Sequence, residues 1–472
     1  MTSSEHELLR IALAGAGDIE EWRLGDAELA AAHGYPRRFD VPVLDDYGTV
    51  FVDVTVLADT GEVVCHEVNG PNGVGSDALT GDSELRADLE ARQTIRQLRR
   101  LGLLHDDGTV RGRVSTVHAH QHWSAFRTGG EFFPRVDRYA DRLGALLPGV
   151  SVRRRAAADP AGDEAIAVVM GDVPAVAARL DVHPTTGAPT TGELRDGDRP
   201  VVFVGNPNLL PELARTGKVR VGRGRFEGVD RRAFHGWRLV NVVHDKSRQQ
   251  ALLHGTGIRP LAHFSAWSRD EAVTATRDFL ANGPCVLKPN AASGGVGVEV
   301  VVPGASDDEI ARVVDSVIDR YVAKYGEGSE ATVFPLRGFE FARSTGYPLD
   351  DGEHLWDLRI AVLFEPGVAH AFPVSMRLTP KPFDPVSFVH DRDQWVSNVS
   401  GRQVTLLKSG MDDAALTAVG LAPDRVDTLL DACVTWTINA WDASARGDEG
   451  LGAYEDDREA LDPEFYPRER WA

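Results

Sequence analysis

At 472 residues the chain is long enough, at roughly 150 residues per domain, for two or three domains or for one domain with large subdomains around a sizeable core. Its formal charge of -20 excludes a nucleic-acid or anionic-membrane surface, because neutralising phosphates needs a net basic face; any cations that matter must be local. Cys65, Cys285 and Cys433 stand far apart, each in an apolar run, and read as reduced core thiols of a cytosolic protein rather than a disulfide framework. Residues 1–30 hold no basic segment followed by an apolar core, and nothing approaches the roughly 18 uninterrupted apolar residues of a membrane helix, so a soluble, cytoplasmic protein is expected.

In chain order, apolar runs at 49–54 and 63–68 around a turn at 58–61 signal a β-hairpin. Residues two apart on a strand share a face, so Glu67 and Asn69 point the same way. Over 83–100, Leu85, Leu89, Ile95 and Leu98 recur at helical spacing, and Gly102 offers a stop. Between about 110 and 240, strands at 166–170 and 201–204 alternate with helical stretches, an α/β pattern. The Pro-, Thr-, Gly- and Asp-rich residues 184–199 read as a loop. A strand at 238–243, a helix from Lys246, and strands at 285–288 and 297–302 follow; Ser306-Asp307-Asp308-Glu309 is a capping box opening a helix. Further strands are predicted at 331–334, 358–364 and 368–376, then a long helix at 423–445 and a polar tail at 447–472.

A strand ending in Lys288, a loop containing Ser293, Gly294, Gly295 and Gly297, then another strand form a natural phosphate cover: glycines admit backbone N–H groups close to anionic oxygens, and the lysine adds a point charge. A glycine-rich hairpin on any surface looks similar, and no Gly-Lys-Ser/Thr closes the run as a Walker A loop would. Asp53, Glu67 and Asn69 supply hard oxygen ligands on paired strands, as magnesium beside nucleotide phosphates requires; the alternative is a solvated acidic face.

Together, Asp245-Lys246, Val286-Leu287-Lys288-Pro289 with its glycine loop, Gly338-Phe339-Glu340, Asp357-Leu358-Arg359, Met376-Arg377, Ser397-Asn398 and the detached Asp53 with Glu67-Val68-Asn69 resemble the ATP-grasp superfamily. The match is closest to its carboxylate-amine ligases of the D-alanine ligase and ribosomal-protein glutamate ligase types, over roughly 240–445 plus 40–75. The resemblance implies an α/β (α+β) fold in which two subdomains clasp ATP. It implies that Lys246 and Lys288 hold phosphates under Ser293, Gly294, Gly295 and Gly297, that Glu340 binds ribose, that Arg359 and Arg377 stabilise the transferred phosphoryl group, and that Asp53, Glu67 and Asn69 bind one or two Mg2+ ions, with Mn2+ as a substitute.

Chain order departs from that family. The carboxylate segment, which should come last, comes first, and the residues after 445 offer no apolar strand pair. Circular permutation is the economical reading: residues 1–80 complete the ATP site, 81–240 form an α/β pre-ATP-grasp or substrate-facing domain, 241–330 and 331–446 are the two ATP-grasp subdomains, and 447–472 is a tail. The implied activity is ADP-forming ligation of a small-molecule or peptide carboxylate to an amine through an acyl phosphate. An ATP-grasp small-molecule kinase and a non-catalytic nucleotide-binding protein are the alternatives, and a homo-oligomer is left open.

His118, His120 and His122 alternate and would share one strand face; zinc, substrate contact and a structural face all remain open. The run Arg215, Lys218, Arg220, Arg223, Arg225 suits an acidic substrate or a solvated loop, and Gly222-Arg223-Gly224 is no dinucleotide fingerprint.

Overall fold

Every residue of the strand Gly48–Val56 is buried, and so are the first nine of the strand Trp356–Glu365, although Asp53, Asp357 and Arg359 lie within them. Strands covered on both faces lose the simple apolar-polar alternation, and the cause here is a sheet with helices on either side. The structure, a computed structural model, describes residues 8–10, 35–70, 83–100, 102–104, 245–289, 295–325, 336–397, 406–408 and 413–446. Between 105 and 244 it describes eight strands, one helix and short stretches beside them.

That sheet has seven strands. Leu8–Arg10, Leu406–Lys408, Gly367–Leu378, Trp356–Glu365, Gly48–Val56 and Val63–Asn69 follow one another across it, and Arg37–Val41 also pairs with Gly367–Leu378. The N-terminal hairpin is thus joined antiparallel to Trp356–Glu365, with Asp53 opposite Arg359 and Glu67 opposite Asp53. Val50, Val52 and Val54 pack with Leu358, Ile360, Val362, Trp436 and Trp441 on the face covered by the helix Pro423–Arg446. Phe51 points the other way, to Ala361, Leu363, Phe372 and Leu89 of the helix Ser83–Arg100. Each fully buried side chain of this kind contributes about 1.5–3 kcal/mol. Gly48 is required by close approach: a Cβ there would lie 2.2 Å from Phe364 Cζ, whose ring meets Trp441 edge-on.

A second, four-stranded antiparallel sheet runs His263–Ala266, Leu336–Glu340, Cys285–Pro289, Glu299–Val301. Its core includes Leu287, Val301, Ile310, Val314 and Val317, the last three from the helix Asp307–Tyr325. The capping box forms: Glu309 N donates to Ser306 Oγ at 3.4 Å and Ser306 N to Glu309 Oε2 at 2.8 Å. An eight-stranded sheet occupies the middle of the chain, where Val114–Ala119 pairs in parallel with Val152–Ala156 and Ile166–Gly171. Helices mixed with largely antiparallel sheets make the fold α+β. All three cysteines are buried free thiols, and no helix among the described residues is long and apolar enough to cross a membrane.

Several segments differ from expectation. Within 184–199 the strand Thr191–Asp196 pairs with Leu180–Pro184 and with Arg199–Phe203. Its six residues contain no proline, so each N–H is available to a ladder, and the loop-like composition comes from the residues flanking it. The described residues of 238–243 do not form a strand: Val242 N and Val243 N both donate to Leu239 O, at 3.0 and 2.9 Å. The buried pair Leu239 and Val242 is three apart, a turn spacing. The strand expected at 297–302 shortens to Glu299–Val301, and Arg220–Gly222 forms an antiparallel pair with Arg225–Val229. Arg215, Arg223, His120, His122, Ser293, Gly294, Asn398 and the segments 331–334 and 447–472 lie outside the described residues; His118 is on the strand Val114–Ala119.

Candidate functional site

The site begins with a docking between a short helix and a sheet edge. Asp245 caps the helix Lys246–Ala251 by accepting from Ser247 N at 3.0 Å and Arg248 N at 3.4 Å. Gln249 then mimics a neighbouring strand for Val63–Asn69: its Oε1 accepts from Val68 N at 2.9 Å, and its Nε2 donates to Val68 O at 2.8 Å. Gln250 Nε2 donates to Cys65 O at 2.9 Å. These amide bonds cover an edge that would otherwise be open. They also bring Lys246 Nζ within 3.3 Å of Glu67 Oε1, across 179 positions of sequence (246 minus 67).

The second lysine comes from the smaller sheet. On Cys285–Pro289 the alternation buries Cys285, Leu287 and Pro289 and turns Val286 and Lys288 to the other face, where both line a cleft. Lys288 Nζ donates to His66 O at 3.4 Å and stands 4.4 Å from the Phe339 ring centroid. Burial and the neighbouring Lys246 lower its pKa to about 8, with Glu67 opposing the shift. Burial and Lys288 lower His66 to about 4.

The cleft between the two sheets has an inner volume of about 190 Å³. One part of its lining is apolar, with Leu261, Val286, Phe339, Phe341, Leu355 and Trp356; another is charged, with Glu67, Lys246, Lys288, Glu340, Asp357 and Arg377. An apolar wall beside several cations suits an organic ring carrying a polyanion. Gly295 also lines it, while Gly297, at φ 65°, lies so close to Val317 O that a Cβ would come within 2.8 Å.

Beneath this lining runs a chain of alternating charge. Arg359 clamps Asp53 through Nε and Nη2, both at 2.7 Å. Arg377 Nη2 reaches Asp53 Oδ2 at 2.9 Å, and its Nε donates to Asp357, which also accepts from Ser397 Oγ. Burial works against ionisation of Asp53, yet Arg359 and Arg377 hold its carboxyl below the ordinary value. Burial, with Asp53 nearby, holds the Asp357 carboxyl above it despite Arg377. Arg377 therefore faces the cleft, whereas Arg359 is committed to Asp53.

The residues expected to bind metal meet, but not on equal terms. Asn69 Nδ2 donates to Asp53 Oδ2 at 3.1 Å, so that oxygen already serves three donors. Glu67 is a third exposed, and with Asn69 it suits a hard cation; Asp53 suits one only if Arg377 turns away. Among the described residues no group of three or more His, Cys, Asp or Glu side chains is arranged to hold a metal ion. Glu340 lines the cleft but is paired with Arg259 Nη2 at 2.6 Å. Arg259 and Trp395 carry no local motif, and only the folded chain brings them to the site. A scan against protein-family models and a search of curated proteins each returned no match.

Two measurements follow from this geometry. Asp53→Ala leaves the buried Arg359 without its carboxylate and takes one of two from Arg377, and is expected to lower stability by about 3–5 kcal/mol in urea unfolding, with most of the loss recovered in the Asp53→Ala, Arg359→Met double variant. Because folding lowers the Lys288 pKa from 10.5 to about 8, its charged form costs stability below about pH 8, and that cost disappears as pH rises toward 10.5. Lys288→Met should accordingly raise Tm at pH 7, with the gain shrinking by pH 9.5.

Proposed function

We propose that this chain is an ATP-dependent carboxylate-amine ligase of the ATP-grasp kind, circularly permuted so that its N-terminal hairpin completes the nucleotide site. The observation carrying this reading is convergence: Glu67, Lys246, Lys288 and Arg377, from four separate stretches of chain, line one cleft between two sheets. The pairing of Gly48–Val56 with Trp356–Glu365 supports the permutation, since it sets the N-terminal hairpin beside the strand that carries Asp357 and Arg359.

In this reading the adenine ring lies against Val286, Phe339 and Leu355, with the ribose toward Glu340 and Arg259, and the phosphates pass Lys246 and Lys288 beneath the loop containing Gly295. A substrate carboxylate oxygen attacks the γ-phosphorus, the bond to the bridging oxygen breaks, and ADP leaves. Arg377 neutralises charge on the transferred group, and Arg359 acts through Asp53 as a positioning residue. The amine nitrogen then attacks the acyl carbon, and inorganic phosphate departs. Asp357, held above the usual carboxylate range beside Arg377, is suited to take the amine proton. Magnesium held by Glu67 and Asn69, and by Asp53 once Arg377 has turned, would supply further charge neutralisation at the phosphates.

The test incubates the full chain with ATP, Mg2+ and pools of carboxylic acids, with and without amines, and follows ADP, free phosphate and phosphorylated products. ADP release that needs an acid, with free phosphate and an amide when an amine is added, is expected, and Lys288→Ala should lower it at least about 100-fold. Accumulation of a stable phosphorylated alcohol would turn the assignment to a kinase. Undiminished turnover in Lys288→Ala would remove the nucleotide site from this cleft.

A further inference from the structure

Two paired strands set the reacting end of the cleft apart from its ring end. Asp357 stands opposite Arg377 where Trp356–Glu365 pairs with Gly367–Leu378. Two positions away along each chain, Leu355 N donates to Thr379 Oγ1 at 3.1 Å and Thr379 N to Leu355 O at 2.9 Å. All four residues line the cleft, so the ring lies against Leu355 and the charged pair marks the reacting end. After Gly367–Leu378 the chain returns as a strap, residues 381–397, whose last residues Trp395, Val396 and Ser397 also line the cleft. Ser397 Oγ donates to Asp357, and Trp395 stands two residues before it, at most about 7 Å away along the backbone. The strap therefore walls the reacting end.

That wall is fixed in place. Trp395 N and Val396 N both donate to Arg392 O, at 3.2 and 3.0 Å, and Lys381 N donates to Asp393 O at 3.0 Å. Gln394 Oε1 accepts from Asp384 N at 2.9 Å, and its Nε2 donates to Ser387 Oγ at 3.2 Å. Phe383 and Phe388 pack on one another and on Phe341.

The polar groups around it are spoken for. Among the described residues every carboxylate lining the cleft has a cation on it: Glu67 has Lys246, Glu340 has Arg259 and Asp357 has Arg377. Arg377 is itself shared between Asp357 and Asp53. The Thr379 hydroxyl accepts from Leu355 N and donates to Lys381 O, and the Ser397 hydroxyl donates to Asp357. An ammonium group on a substrate would meet no carboxylate that lacks a cation, and a second carboxylate would stand beside Asp357. Burying either charge without a partner costs more than its contacts return. What the wall offers is the Trp395 indole and the buried Val396 side chain, an apolar and aromatic surface.

We propose that the acid activated in this cleft is an apolar monocarboxylate, aliphatic or aryl-alkyl with no second charge, and that Trp395 determines this specificity by holding its hydrocarbon part beside Arg377. The proposal rests on the ligase reading given above and narrows it, since free amino acids and dicarboxylates are excluded.

The test incubates the full chain with ATP, Mg2+, one acid and hydroxylamine, which attacks an acyl phosphate at carbon, displaces phosphate and leaves a hydroxamate that is measured as its iron complex. The acids are acetate, 4-methylpentanoate, 3-phenylpropanoate, leucine and glutarate. The kcat/KM for 4-methylpentanoate and 3-phenylpropanoate should exceed that for each of the others by at least about tenfold. Trp395→Ala should cost those two acids about tenfold, chiefly in KM, while acetate, too short to reach the wall, stays within about twofold and the KM for ATP is unchanged. Trp395→Phe keeps an aromatic wall and should retain most of the activity, and the ranking of acids by the wild type needs no variant at all. Preference for leucine or glutarate, equal use of all the acids, or a Trp395→Ala effect on the KM for ATP in place of that for the acid would overturn the proposal alone. ATP binding in calorimetry with no hydroxamate from any acid would overturn the ligase reading, and a wild type that binds no ATP would overturn the nucleotide site; the proposal falls with either.

Discussion

Four charges in a row, the buried Asp357, Asp53 and Arg359 and the half-buried Arg377, hold the N-terminal hairpin in register with the rest of the large sheet. A buried carboxylate without a partner is so costly that Asp53 has to meet Arg359, and the pairing register puts the two directly opposite. Irregularities in the strands fall at the same places, between Asp53 and Val54 and between Arg359 and Ile360, where an extra residue re-aims a side chain. A slip of one residue would turn Phe51 into the face of Val50 and Val52 and bury Asp53 among apolar groups. The same register sets Glu67 opposite Asp53 and hence at the cleft. Fold and site therefore share one constraint.

The second constraint is electrostatic. The chain is strongly acidic, yet Lys246, Lys288 and Arg377 line one cavity. Arg377 is balanced by Asp53 and Asp357, and Lys246 leans on Glu67. Lys288 is served least: it meets the His66 carbonyl and the Phe339 ring face, and burial lowers its pKa. A polyanion in the cleft would relieve the repulsion between the two lysines, so a site that is mildly unfavourable when folded alone is favourable to an anionic ligand.

Much of the architecture was legible in local pattern. The hairpin, the helix Ser83–Arg100, the lysine strand and the two long strands after residue 355 carry runs or periodicities strong enough to read directly. The strand at 191–196 was hidden by the prolines and glycines around it, and residues 238–243 mimic a strand because their apolar residues fit turn spacing and alternation alike. At the site, the sequence pointed to Asp53 and Arg359 in separate roles, as metal ligand and catalytic cation. Their partnership spans 306 positions and depends on a cross-strand register that no local signal encodes. Arg259 beside Glu340 and Arg392 beside Gly295 were invisible for the same reason: each is an isolated arginine whose meaning comes from what the other sheet presents to it.

The most direct measurement is a crystal structure of the full chain with Mg2+ and a non-hydrolysable ATP analogue. The account predicts the triphosphate between Lys246 and Lys288, a metal ion on Glu67 and Asn69, and the ring against Phe339. A nucleotide bound elsewhere, or a cleft that stays empty at saturating analogue, would contradict it.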